Sequence, residues 1–231
     1  MKDLYFHTPT KPKSIMGKLD NFSWIFACIL AFELVVINVP ALAELRMISK
    51  PAIVISLLVF VSTRTFGGEG KLLLLLALLF CLAGDLFLMF DGYFVAGLAA
   101  FLVGHVFYTL LLFHNNGLRS QGILLLSACL ALLVGVILYL VLPQLGELLP
   151  YVIAYMLVIS AMAISSFTTK VAYPKLAFTL CLVGALLFVI SDSLLALNAF
   201  YKPFEGAGTA VMATYGLAQY FLVRGVVKAK A

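Results

Sequence analysis

Charge is what this sequence has least of. Lys, Arg, Asp and Glu make up 11% of its 231 residues, while 64% are hydrophobic. A soluble domain carries roughly 25% charged residues to cover a water-facing exterior. Too few are present here, which excludes an ordinary soluble fold. No low-complexity linker divides the chain, and its length suits one compact bundle. Cysteine is sparse and poorly placed for chemistry: Cys28, Cys81, Cys129 and Cys181 all lie in apolar runs and form no CxxC pair. They read as small packing residues and imply neither disulfides nor a metal site. Histidine is scarcer still. His7 is in the N-terminal tail, His114 is at the edge of an apolar run, and His105 alone sits well inside one. A catalytic zinc wants three protein ligands, commonly His, so a zinc-dependent lipid hydrolase is disfavoured.

Two further absences matter. The first 21 residues carry Lys2, Lys11, Lys13 and Lys18 but no apolar segment of a cleavable signal. They are expected to form a cytoplasmic tail lying on lipid headgroups. Proline is missing from the middle of every apolar run. Pro9, Pro12, Pro40, Pro51, Pro143, Pro150, Pro174 and Pro203 fall in the tail or near expected helix ends. Many secondary transporters bind substrate where a helix is broken near the midplane, so this distribution counts modestly against a transporter.

What is abundant is apolar sequence in helix-length runs. Spanning the hydrocarbon takes about 20 apolar residues. Candidate spans are 22–39, 47–63, 71–90, 93–113, 121–142, 149–168, 175–198 and 207–227, joined by short loops. The expected fold is all-α: one eight-helix membrane bundle over 22–227, between an N-terminal tail (1–21) and a C-terminal tail (228–231). Alternate loops and both ends collect Lys2, Lys11, Lys13, Lys18, Arg64, Lys71, Arg119, Lys170, Lys175, Arg224, Lys228 and Lys230. Arg46, Lys50 and Lys202 fall on the other side. The positive-inside rule then places both termini in the cytoplasm. The net charge of +5 thus speaks for orientation and contact with anionic lipid, not for nucleic acid.

The informative residues are polar ones within these runs: Glu33, Lys50, Asp85, His105 and Asp192. A charge at a span centre costs roughly 2.5–3.5 kcal/mol, so these groups must pair, face the bundle interior or meet water. From the expected span ends, Asp85 and Asp192 each lie about 8–9 Å below the non-cytoplasmic end of a helix. Glu33 enters at similar depth, and Lys50 sits near the start of the second span. His105 and Tyr108 share a helix face with Gly97 and Phe101, as do Tyr215 and Gln219. All are expected to converge on one cavity opening toward the non-cytoplasmic leaflet. Lys50 has two readings, partner to an aspartate or contact for phosphate. A bland alternative stands beside each functional reading: the acids staple helices, Glu33 snorkels, and the tyrosines and Gln219 bridge helices. Phe90, Tyr93, Phe94, Tyr201 and Phe204 are expected in an interfacial aromatic belt.

A faint repeat is also visible. Gly84-Asp85-Leu86-Phe87-Leu88 and Ser191-Asp192-Ser193-Leu194-Leu195 each precede a short loop and a helix with a polar centre. A parallel 4+4 duplication would explain it, and so would chance between Leu-rich helices. Ser191 and Ser193 flank Asp192, yet no Ser-His-Asp order or nucleophile elbow emerges. Carboxylate acid–base chemistry in a low-dielectric pocket is what remains.

Two segments resemble the YhhN-type lysoplasmalogenase family. One is Gly84-Asp85-Leu86-Phe87-Leu88-Met89, continuing through Asp91-Gly92-Tyr93-Phe94 and Gly97 to Gly104-His105 and Tyr108. The other is Gly184 through Ser191-Asp192-Ser193 to Asn198, then Thr214-Tyr215 and Gln219. Lys50-Pro51 looks like a weaker third element; Glu33 matches nothing in the family pattern. The resemblance implies hydrolysis of the sn-1 vinyl ether of a lysoplasmalogen, lysoplasmenylethanolamine or lysoplasmenylcholine. The products would be a fatty aldehyde and a glycerophosphodiester. That chemistry needs an acid and an anion, and Asp85 and Asp192 are read as this acid–base pair with unassigned roles, as paired carboxylates serve glycosidases. Lys50, His105, Tyr108, Ser191, Asn198, Tyr215 and Gln219 would bind or orient, and Glu33 joins them on its burial alone. Neither metal nor organic cofactor is called for, the oligomeric state is open, and a bacterial inner membrane is the expected location. A proton-coupled carrier and a non-catalytic membrane partner remain as alternatives.

Overall fold

The computed structural model describes residues 20–119 and 121–230. The expected N-terminal tail over 1–19 and its lysines lie outside the described residues, as does Ala231. Eight α-helices follow one another: α1 (Asn21–Asn38), α2 (Arg46–Ser62), α3 (Glu69–Phe87), α4 (Phe94–Leu112), α5 (Gly122–Leu145), α6 (Leu149–Thr168), α7 (Lys175–Phe200) and α8 (Ala207–Lys230). No strand occurs among the described residues. Among the described residues, seven helical stretches are long and apolar enough to cross a membrane. The longest, Gly122–Val171 (50 residues), holds both α5 and α6. These part at Gly146, whose φ of 47° suits glycine and turns the chain back.

Local chemistry fixes the ends. Asp20 caps α1 by accepting the Ser23 N–H at 3.0 Å, and it also accepts from Arg224 of α8 at 2.5 Å. Lys71 donates to the carbonyls of Ser62 (3.0 Å) and Arg64 (2.7 Å), satisfying groups at the end of α2. Pro40 opens a 3₁₀ turn, Pro40–Leu45, that runs directly into α2. Pro51 therefore lies inside a continuous helical run and not near its start.

Helix lengths also change the expected depths. Asp85 lies in the last turn of α3, because the chain leaves the helix after Phe87 instead of continuing to 90. Asp192 is followed by about 12 Å of helix, because α7 runs on to Phe200. The two acids do not lie equally far from their helix ends.

The exterior is hydrocarbon-like. Leu124 is 80% exposed and Tyr139 78%, both on the outward side of α5. Such a surface would drive association in water and is ordinary in lipid, where the hydrophobic effect does not hold helices together. Close packing does that work instead. α7–α8 is the most extensive helix pair and α3–α4 the next. A Cβ on Gly104 would meet the Cys81 sulfur at 3.0 Å and the Ala77 carbonyl at 3.1 Å. One on Gly225 would meet the Cys181 sulfur at 2.5 Å and the Ala177 carbonyl at 2.9 Å. The pattern Ala77–Cys81–Gly84 thus recurs as Ala177–Cys181–Gly184. In that register Asp85 falls opposite Ala185, so Asp85 and Asp192 do not occupy matching positions.

Two apolar clusters form the interior. The larger draws on all eight helices, α5 giving it Leu130, while a smaller one (Ile137, Val141, Leu145, Val152, Met156) joins the C-terminal half of α5 to α6. The seam between them holds a cavity.

A Cβ on Gly184 would meet the Leu222 amide nitrogen at 2.8 Å and the Ala218 carbonyl at 2.9 Å, backbone that cannot rotate aside. Gly184→Ala is expected to lower stability by about 1–3 kcal/mol. Gly135, with nothing within 4 Å, is the control. Gly135→Ala should raise it by about 0.4–1 kcal/mol. Thermal unfolding in detergent measures both.

Candidate functional site

The cavity has a volume of about 330 Å³. It lies in the half of the bundle bounded by the α1–α2, α3–α4, α5–α6 and α7–α8 connections. Its walls differ in character. Lys50 of α2, Asp85 of α3, Asp192 of α7, Tyr155 of α6 and Tyr215 of α8 form one polar end, with Arg46 beside them. Leu133, Val134, Ile137, Val152, Met156 and Ile159 form a broad apolar wall from α5 and α6.

Asp85 is the most heavily coordinated group. The Lys50 ammonium stands 3.4 Å from its Oδ1 and donates to its backbone carbonyl at 3.0 Å. The Tyr215 hydroxyl donates to Oδ2 at 2.6 Å. Behind Tyr215, Gln219 Nε2 donates to that hydroxyl at 3.3 Å, and Tyr108 donates to Gln219 Oε1 at 2.6 Å. Every proton in this chain points toward Asp85. Gly84 contributes by being bare: the Phe101 ring occupies the space a Cβ would need, which seats the ring against α3 next to Asp85.

Asp192 is held differently. It accepts the Tyr155 hydroxyl on Oδ2 at 2.5 Å, and among the described residues no cation lies within ion-pair distance. It is only partly buried, because it faces the cavity.

Six of the expected residues line this space: Lys50, Asp85, Ser191, Asp192, Asn198 and Tyr215. Two of them use their side chains on backbone. Ser191 donates to the Val211 carbonyl at 3.0 Å, and Asn198 accepts the Phe204 N–H at 3.3 Å. Four expected residues do not reach the cavity. Tyr108 and Gln219 are fully buried behind Tyr215, Tyr108 bonded to Gln219 and Gln219 in turn to the Tyr215 hydroxyl. His105 is fully buried with its ring edge-on to Phe188 (4.5 Å) and Tyr155 (5.4 Å), and neither ring nitrogen has a well-formed hydrogen bond. It packs behind Tyr155. Glu33 turns to α2, where it accepts the Ser49 hydroxyl and faces the Arg46 Nε at 3.6 Å. Phe94 leaves the expected aromatic belt, lining the cavity and meeting Phe200 edge-on at 5.4 Å.

Two cavity residues escaped the sequence reading. Tyr155 carried the same signal as Tyr108, a phenol within an apolar run that must find a partner. Arg46 was visible as one of three basic residues on the sparse side.

The arrangement can hold one fixed carboxylate (Asp85) and one carboxyl free of a counter-cation (Asp192), facing the same small volume. Lys50 and Asp85 are a buried pair, so removing one partner leaves an uncompensated charge. Lys50→Met is expected to cost about 3–5 kcal/mol. Adding Asp85→Asn in the same chain should recover most of that loss. Melting of the two single variants and the double variant in detergent reads the coupling.

The chain has relatives among known proteins. The chain is 32% identical to Lysoplasmalogenase TMEM86B of Sus scrofa over 220 residues, 93% of this chain and 91% of that protein. It is 32% identical to the mouse protein of the same name over 201 residues, 87% and 83% of the two chains. With human Lysoplasmalogenase TMEM86A it shares 31% over 160 residues, covering 66% and 64%. No solved structure matches it. With its apolar helices it is an integral, multi-pass membrane protein. The YhhN family matches residues 45–226, which hold every cavity-lining residue, and this chain belongs to that family.

Proposed function

We propose that this protein is a lysoplasmalogenase. It would hydrolyse the sn-1 vinyl ether of lysoplasmenylethanolamine or lysoplasmenylcholine to a fatty aldehyde and glycerophosphoethanolamine or glycerophosphocholine. The observation that carries the reading is the pair of aspartates in unlike settings at the polar end of an otherwise apolar cavity. The names of its relatives point the same way.

A vinyl ether hydrolyses by slow proton transfer to its β-carbon. The resulting oxocarbenium ion is captured by water, and the hemiacetal collapses to aldehyde and alcohol. The reaction asks for an acid, a nearby anion and one water. Asp192 is suited to be the acid, since Tyr155 orients it through Oδ2 and no cation among the described residues holds it as the carboxylate. Asp85 is suited to be the anion that stabilises the developing cation, since Lys50 and the Tyr108–Gln219–Tyr215 chain favour its charged form. After protonation of carbon, the attacking water gives its proton to the Asp192 carboxylate as the hemiacetal forms, restoring the acid for the next turnover, while Asp85 stays ionised. A buried pocket beside lipid suits a substrate whose single long chain already lies in the bilayer. From the distribution of Lys and Arg, the polar end faces the non-cytoplasmic leaflet, and a bacterial inner membrane fits the short loops.

Aldehyde release from lysoplasmenylethanolamine by detergent-purified protein tests the reading. Asp192→Asn and Asp85→Asn should each lower kcat by about 10²–10⁴-fold. Asp192→Asn should melt close to the parent, whereas Asp85→Asn should melt lower because Lys50 loses its partner. Normal turnover by both variants would end the mechanism. Gradient-driven solute flux without any aldehyde would favour a carrier.

A further inference from the structure

The Lys50 ammonium is committed to the carboxylate and the carbonyl of Asp85, and its side chain is 7% exposed. It has little left for a ligand. Arg46 is placed otherwise. It lines the same cavity one helical turn before Lys50, about 6 Å along α2 at four residues' rise, and its side chain is 45% exposed. Its Nε faces Glu33 at 3.6 Å, and among the described residues its terminal nitrogens meet no hydrogen-bond acceptor. Glu33 itself is fully buried, fixed by the Ser49 hydroxyl, and its Oε1, which faces Arg46, has no hydrogen-bond partner. A carboxylate on α1 thus holds the root of a guanidinium whose fork remains open at the rim of the cavity.

A guanidinium fork with free donors, beside an apolar cavity, matches a phosphodiester in geometry and charge. We propose that Arg46 is the phosphate-binding residue of this site, holding the phosphodiester of a single-chain glycerophospholipid, and that Glu33 positions it. The identity of the lipid rests on the lysoplasmalogenase reading. The one-turn offset between Arg46 and Lys50 is of the order of a glycerol backbone. It places the headgroup phosphate at Arg46, the sn-1 ether oxygen near Asp85 and Asp192, and the chain along the α5–α6 wall. Glu33 acts through Arg46 and does not touch the lipid.

Two measurements on the detergent-purified full chain test this. The first is turnover of lysoplasmenylethanolamine against 1-O-alkenylglycerol, which has the same vinyl ether and no phosphate. Arg46→Gln should raise KM for the phospholipid by about 10–100-fold, as expected for loss of a charge-assisted contact, with kcat little changed. Alkenylglycerol kinetics should stay the same. Arg46→Lys should recover part of the loss, and Glu33→Gln should show a smaller KM effect of the same pattern. Equal losses on both substrates would mean a structural role and overturn the proposal, as would no change on either.

The second measurement is thermal stabilisation by 1-O-hexadecyl-lysoglycerophosphoethanolamine, which binds without being cleaved, against 1-O-hexadecylglycerol. Stabilisation by the phospholipid that disappears in Arg46→Gln supports the proposal even if no aldehyde is ever formed, so the two readings fail separately. Equal stabilisation of parent and Arg46→Gln would overturn it. Inorganic phosphate stabilising the parent as well as the lipid does would reassign the site to a free anion and overturn the lipid reading.

Discussion

The Lys50–Asp85 ion pair is the constraint around which the rest of the site is arranged. In a bundle surrounded by hydrocarbon, a lone charge on either helix would oppose insertion, whereas together they tie α2 to α3. Once the pair exists, its remaining valences dictate neighbours. Oδ2 of Asp85 calls for a donor, which Tyr215 of α8 provides, and that hydroxyl calls for another, which Gln219 provides. Tyr108 of α4 closes the series. Four helices are therefore registered by one buried carboxylate, at a point where packing of small residues alone would permit them to slide.

Asp192 stands outside that network, so the two acids of one cavity differ in their surroundings. Two carboxyl groups in one cavity would be redundant if their surroundings were alike. One is clamped by a cation and a chain of donors; the other has a single phenol. The helix packing underlines the difference, since the recurring Ala–Cys–Gly pattern places Asp85 opposite Ala185. The cavity lies at the seam between the main core, to which α5 contributes Leu130, and the smaller cluster that α5 and α6 build around Ile137 and Val152.

Much of this was legible in the sequence. Scarce charge and helix-length apolar runs gave the all-α bundle, since lipid leaves few other solutions for a backbone. The cost of burying charge singled out Asp85, Asp192 and Lys50 before any coordinates. What could not be read was which polar residue turns to which neighbour. Tyr108, Gln219 and His105 carried the same signal as Tyr215, yet they stand behind the cavity wall, because facing depends on helix rotation and on the ends of α3 and α7. Glu33 was visible as a buried acid, but its pairing with Arg46 was not, because the pair joins two helices across a loop. In retrospect the minority side of the charge distribution held the clue: two of its three basic residues, Arg46 and Lys50, line the cavity.

In the proposed chemistry a carboxyl of this cavity delivers a proton to carbon. The most direct measurement is hydrolysis of lysoplasmenylethanolamine in D₂O, with the aldehyde trapped at once and its second carbon analysed by mass spectrometry and NMR. Protonation by a fixed carboxyl predicts one deuterium at that carbon, in a single configuration, and slower turnover than in H₂O. Aldehyde released with no deuterium there would contradict the account.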